Sequence, residues 1–253
     1  IEWILFFFSE FAKYPFTKFH KKAIKRITTN MEWYEVLSWS RELAKSTIVF
    51  MCMMYLVLTG KKRNVLLISN SHENAVRLLE PYKKAFESNS MLKAYYGDLR
   101  EFGSWTADEF TLTTGATFRA VGALESPRGT RKDAVRPDTA LVDDFDTDAD
   151  CRNPDILKKK WEWFEEALFP TRSISEDLLV IFCGNLIALD CCVKRAGEKA
   201  DHWDIVNIRD IYSINTKRVL LDDRTPIPVS RKYTEHVREM HAKYVRRMYH
   251  AIS

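Results

Sequence analysis

Apolar residues along this chain fall into a few runs of contrasting period. NVLLIS (64–69) and LLVIFCGN (178–185) are apolar without polar alternation, and TALVDDFD (139–146) is four strand-like residues ending in carboxylates. Such runs predict strands buried on both faces. Thr47 to Leu58 is apolar all round and reads as a buried helix stopped by Gly60. SHENAVRLLEPYKKAFES (71–88) opens on Ser71 as an N-cap and carries Val76, Leu79 and Phe86 at helical spacing. NPDILKKKWEWFEEALFP (153–170) starts a helix with Asn153 as cap and Pro154 at its first position. EFTLTT and ATFRAVG alternate and predict a hairpin around Gly115. Trp33 to Leu37 is a short β-prone run, and WDIVNIRDIYSI adds one or two strands. Residues 1–30 read as one or two amphipathic helices broken at Pro15. Buried strands separated by helices predict an α/β fold with a mostly parallel central sheet flanked by helices on both faces.

Composition narrows this little. The 253 residues are 46% hydrophobic and 29% charged, which excludes disordered and collagen-like classes. A formal charge of +4 permits a polyanionic partner without demanding one. The five cysteines form no C-x-x-C pair, and Cys52 and Cys183 lie in apolar runs, as buried thiols of a reducing compartment would. The greasy start, interrupted by Glu2 and Glu10, lacks a signal peptide's basic region and cleavage site. Ile48–Leu58 is too short to span a bilayer.

Chemistry enters at SWSRELAKSTIVF. Lys45 stands before Ser46 and Thr47 at the mouth of an apolar helix, as the lysine of a phosphate-binding loop does. In the register G-x-x-x-x-G-K-[ST], Trp39 and Ala44 occupy the two glycine positions, and alanine resists the positive φ that glycine allows. On this pattern alone, a degenerate nucleotide site and a coincidence both stay open. Ligands of open α/β sheets sit at the carboxyl ends of the strands. Arg41–Thr47, Asp143–Asp146 and Gly184–Asn185 are all expected there. A nucleoside triphosphate calls for a lysine on its β and γ phosphates (Lys45), a hydroxyl on Mg²⁺ (Ser46) and a carboxylate on that metal (Asp143). Asp144 would orient or deprotonate the attacking water, and Asn185 would sense the γ-phosphate.

These residues resemble the ATPase domain of the large terminase subunit of tailed bacteriophages, an ASCE-type P-loop NTPase that packages viral DNA. SRELAKST (40–47) is similar to the family's deviant Walker A loop. On that likeness Ser40, Arg41, Glu42, Leu43, Ala44, Lys45, Ser46 and Thr47 would contact ATP, with Arg41 acting in cis on the γ-phosphate. PFTKFH (15–20) looks like the segment that packs near the base, which implies a base-side or packing role for His20. SPRGTRKDAVRPDTALVDDFD (126–146) resembles the family's R-G, R-P-D and acidic stretch with its Walker B strand. Arg128 is its candidate trans-acting finger, with Arg131 and Arg136 as rivals. FCGN resembles the coupling motif, and residues 229–253 resemble the linker toward an RNase H-like nuclease. No acidic constellation follows, so nuclease activity is not expected in this chain.

The resemblance implies Mg²⁺ and ATP as cofactors and double-stranded DNA, a portal protein and a small terminase subunit as partners. It further implies a ring of this chain, a pentamer, docked on a procapsid in the host bacterial cytoplasm, with no membrane involved. It divides the chain into a helical lead-in (1–30), an ATPase core (31–215) and a basic helical linker (216–253). Two departures stand out: Trp39 where a small residue is usual, and Asp144 where the catalytic acid is usually Glu, so that either the water is reached differently or Asp146 contributes. A helicase-like DNA-dependent ATPase and a degenerate docking module without turnover remain alternatives. Lys158–Lys160, beside Trp161 and Trp163, reads as the wet face of an amphipathic helix, with DNA phosphate contact as the other reading.

Overall fold

The buried runs become the inner strands of one sheet. The computed structural model describes residues 1–11, 15–41, 43–125, 136–168 and 177–206, then strand backbones within 211–228 and residues 235, 238, 239 and 242. In chain order the elements are α1 (Glu2–Phe7), α2 (Lys18–Thr29), β1 (Trp33–Trp39), α3 (Lys45–Leu58), β2 (Asn64–Ser69), α4 (His72–Ser88) and α5 (Ser90–Tyr96). There follow β3 (Arg100–Trp105), β4 (Glu109–Leu112), β5 (Thr117–Gly122), β6 (Thr139–Asp143), α6 (Asp148–Cys151) and α7 (Pro154–Glu162). β7 (Leu179–Cys183), α8 (Cys192–Lys199) and β8 (His202–Val206) complete the main body. Past α7 the helix continues as a π-type turn over Trp163–Leu168.

The sheet has the order β3-β4-β5-β2-β6-β7-β1-β8. From β5 to β8 every pairing is parallel, and β3-β4-β5 is an antiparallel extension at one edge. Successive residues of a strand face opposite ways. Accordingly Val65 and Leu67 join a core with α1 to α5, while Leu66 and Ile68 join a second core with α7 and α8. That two-sided burial is why β2, β6 and β7 show no polar alternation in sequence.

Local signals set several element ends. Ser71 accepts from the Asn74 amide (3.3 Å), and Asn153 accepts from Asp155 (3.1 Å) and Ile156 (3.3 Å), satisfying first-turn donors of α4 and α7. Gly115 turns the β4–β5 hairpin at φ +80°, a conformation glycine adopts without steric cost. α3 opens two residues earlier than Thr47, at Lys45. β1 runs two residues past Leu37, where its pairing to β7 ends, because pairing to β8 carries it to Trp39.

Two expectations change. Residues 216–253, expected as a helical linker, contain β10 (Arg218–Leu221) and β11 (Pro226–Pro228), paired antiparallel with β9 (Ile211–Ile214). Most of the rest of that linker lies outside the described residues. Lys160, expected on a wet face, is 3% exposed, whereas Lys158 and Lys159 do face water. Among the described residues, no helix is long and apolar enough to cross a membrane.

Candidate nucleotide site

β1, β7 and β6 are neighbours and parallel, so their carboxyl ends share one edge. Asp143 pairs with Cys183, and Cys183 with Leu37, which levels the three strand ends. Beyond β1, the Ser40 amide donates to Val206 O (2.8 Å). His20 sits beneath the loop. Its Nδ1 accepts from the Thr17 amide (3.3 Å), which leaves Nε2–H to donate to Leu43 O (3.0 Å). Burial lowers the His20 pKa, so the ring is neutral near pH 7. Trp39 is no part of the loop proper: it ends β1, fully buried, with its ring 4.8 Å from Phe19 and 5.5 Å from His20.

Ala44 takes φ +59°, ψ +24°, the left-handed conformation glycine usually supplies, and its carbonyl accepts from the Ile48 amide (2.9 Å). A non-glycine residue there stores strain of about 1–3 kcal/mol. Lys45 and Ser46 follow as the first residues of α3, where unpaired amides and the helix dipole favour an anion.

The carboxylates lie across from this loop. Ser46 Oγ donates to Asp143 Oδ2 (2.7 Å), and the Asp144 amide donates to Asp143 Oδ1 (3.0 Å). Burial raises the Asp143 pKa to about 6, against the lowering pull of the Lys45 ammonium and the Ser46 bond. Asp144 also has a left-handed backbone, at φ +47°. Asp146, considered as a second acid, has both oxygens occupied: they accept from the Cys192 (3.1 Å) and Val193 (2.9 Å) amides at the start of α8. It anchors a helix, leaving Asp144 as the acid without that duty.

Past β7, Gly184 lies so close to α8 that an added Cβ would stand 2.9 Å from a Val193 methyl. Asn185 follows, and its Oδ1 is buried with no hydrogen-bond partner among the described residues. A buried acceptor left so costs about 1–3 kcal/mol, which a donor entering the site would recover.

A cavity of about 560 Å³ collects Arg41, Ser46, Asp143, Asp144, Asp146 and Asn185. Lys45, at the head of α3 beside Ser46, is not one of the lining residues, but its charge acts on Asp143. Asn70, Asn74 and Arg77 line it as well; Asn74 and Arg77 read in sequence only as part of the helix 71–88, and Asn70 carries no signal there. The available signal was the strand order, since β2 pairs with β6 and so ends at the same edge. Ser40, Leu43, Ala44 and Thr47 belong to the loop and its helix. Arg136 stands ahead of β6, at the opposite edge of the sheet. Glu42, Arg128 and Arg131 lie outside the described residues.

A second polar cluster, Glu35, His202 and Asp204, has ligand atoms within 4.8 Å of one another. The Arg26 guanidinium already sits among its carboxylates, 2.6 Å from Glu35 and 2.7 Å from Asp204. This is an ion-pair network joining α2, β1 and β8, with its positive charge supplied by the chain. The register Glu35↔His202 makes the cluster, so spacing along the sequence does not reveal it.

No family model matches the chain, and no curated protein matches it in sequence. Among solved structures it is similar to the HK97 bacteriophage large terminase, at 12% identity and a TM-score of 0.51, covering 81% of this chain and 41% of that one. It also aligns with an arginine-to-alanine mutant of the Thermus phage P74-26 large terminase ATPase domain. There the identity is 16% and the TM-score 0.49, over 72% of this chain and 70% of that one. The chain thus spans 41% of the length of the HK97 protein. With the sheet order above, the HK97 likeness gives the fold as an ASCE-type P-loop NTPase.

Proposed function

We propose that this chain is the ATPase motor domain of a phage large terminase, hydrolysing ATP to drive double-stranded DNA through a portal into a procapsid. The observation that carries the reading is the Ser46–Asp143 hydrogen bond. It joins the hydroxyl after the loop lysine to the carboxylate at the end of β6, across the intervening β7, in a cavity that Asn185 also lines. A hydroxyl and a carboxylate so paired are the ligand set that fits Mg²⁺ in such sites. Bound there, Mg²⁺ would neutralise charge on the β- and γ-phosphates.

The chain's own groups do the rest. Lys45 and the free amides of α3 bind the phosphates, and Arg41 reaches the γ-phosphate from the loop. Asp144 takes or orients the proton of the attacking water, and Asn185 senses the γ-phosphate. His20 holds the loop through Leu43 and faces the base side. Arg128 serves the neighbouring subunit's ATP in a ring assembled on the portal, with the small terminase subunit as a further partner in the bacterial cytoplasm.

Phosphate release from Mg-ATP, measured at high protein concentration on the parent and on Lys45→Ala and Asp144→Asn, tests this. Turnover in the parent and loss in both variants is expected. Absence of both turnover and ATP binding in the parent overturns the reading and favours a docking module.

A further inference from the structure

Glu35, Lys62 and Lys160 are buried ionisable side chains that the proposed mechanism does not use, and Lys160 is the one beside the proposed acids. Lys160 is 3% exposed on α7, and its ammonium makes three contacts, all toward the segment that carries the acids. It donates to the Phe145 carbonyl, pairs with Asp150 Oδ2 at 2.8 Å, and lies 4.6 Å from the centre of the Phe145 ring. Asp150 in turn closes the cap of α6, accepting from the Thr147 amide (3.3 Å) while its own amide donates to Thr147 Oγ1 (3.1 Å).

We infer that Lys160 is a positioning residue for Asp144: it clamps the turn Asp143–Thr147 from behind and holds the Asp144 carboxylate toward the cavity. Asp144 at φ +47° is in a conformation that persists only where the surroundings hold it. On its amino side, its own amide bonds Asp143. On its carboxyl side, the next carbonyl is held by Lys160, the Phe145 ring is buried against Trp163, Phe164 and Phe182, and Asp146 is fixed to α8. Of these holds, Lys160 alone supplies a positive charge, and it reaches both the turn and the helix cap after it. A solvated lysine would not stand among these rings, because burying an ammonium is costly unless it is paired. Neutralising it frees the Phe145 carbonyl and lets the turn relax toward ordinary backbone angles, carrying the acid with it. Among the described residues the loop before α3 has no bond to Lys160, and it stays as it is.

This rests on the ATPase reading, and its test separates the two. Lys160→Met is compared with Lys160→Met plus Asp150→Asn, which removes the carboxylate left unpaired and guards the fold, and with Lys160→Arg. Lys158→Met, on the wet face, is the control. Turnover, nucleotide affinity and amide exchange are measured on each. Turnover down roughly 10–100-fold in the double variant is expected, since a displacement of about 1 Å costs this much. Nucleotide affinity stays unchanged, exchange quickens at 144–147 but not at 40–48, and Lys160→Arg recovers part of the rate. Parent-like turnover and exchange in the folded double variant overturn the inference. If the parent binds ATP without hydrolysing it, the ATPase reading fails for this chain alone. The exchange at 144–147 then decides the clamp by itself, faster supporting it and unchanged overturning it.

Discussion

The loop before α3 and the turn after β6 each hold a non-glycine residue in left-handed backbone, Ala44 and Asp144, yet they are held very differently. The turn is tied by a buried lysine, by the first amides of α8 and by a Phe145 ring that is 1% exposed. Burying such a ring is worth about 1.5–3 kcal/mol, enough to offset the strain of one left-handed residue. The loop is tied at its margins, by Ser40 to Val206 and by Leu43 to His20. Between them stands the exposed Arg41. The turn is therefore preorganised by the protein, whereas the loop offers amides and charges that a phosphate would complete.

Substitutions on the two sides should separate binding from chemistry. Lys45→Ala is expected to weaken nucleotide binding and to lower turnover by at least about 10²–10³-fold, as removal of one fixed charge donor does. Asp144→Asn should lower turnover by about 10²–10⁴-fold while leaving nucleotide affinity within a few-fold, because a proton acceptor is lost and a phosphate contact is not. Equilibrium binding of a fluorescent ATP analogue beside phosphate release reads both. Equal losses of affinity in the two variants would abolish the distinction.

Much of this site was legible in the sequence, for one reason: in parallel sheets the strand ends gather function, and apolar runs mark strands. β6 and β7 announced themselves, so the spots after them could be named. What escaped depends on contacts distant in sequence. β3 is an exposed edge strand without alternation, and α8 begins at Cys192 behind Cys191, which offers no side-chain cap to mark a helix start. Lys160 looked like one of three solvated lysines, and only the fold of α7 against Phe145 makes it a buried ion. The docking of β2 beside β6 brings Asn70, Asn74 and Arg77 to the cavity, and no local pattern encodes that neighbourhood.

A smaller effect concerns the bridge between the two regions. Asp143, with its pKa raised to about 6 by burial, binds its proton more tightly in the folded chain than in the unfolded one. Folded-state stability is then fullest below the unfolded value near 4 and falls as pH rises through about 6. Asp143→Asn should therefore raise the melting temperature at pH 8 while removing Mg-ATP turnover. In the parent, kcat/KM should climb between pH 5 and 7 with an apparent midpoint near 6. A flat profile, or a less stable Asp143→Asn at pH 8, would show that the carboxylate is not carrying that cost.

The smallest expected change is the sharpest on the loop itself. Ala44→Gly removes a Cβ from a residue at φ +59° and makes the motif's second glycine position regular. Relief of left-handed strain, about 1–2 kcal/mol for an L-residue, is partly offset by glycine's larger entropy loss on folding. The net gain should be of order 0.5–1 kcal/mol, or a rise in Tm of about 1–4 °C for a chain of this size. The corresponding change at Asp144 cannot be made without losing the acid, so the loop is where strain can be removed and function kept. If Ala44→Gly stabilises the chain and leaves nucleotide affinity unchanged, the strain contributes nothing to phosphate capture. If affinity falls as stability rises, Ala44 holds the loop open for its ligand, and a glycine-poor loop is then a working design, its rigidity taking the place of glycine's freedom.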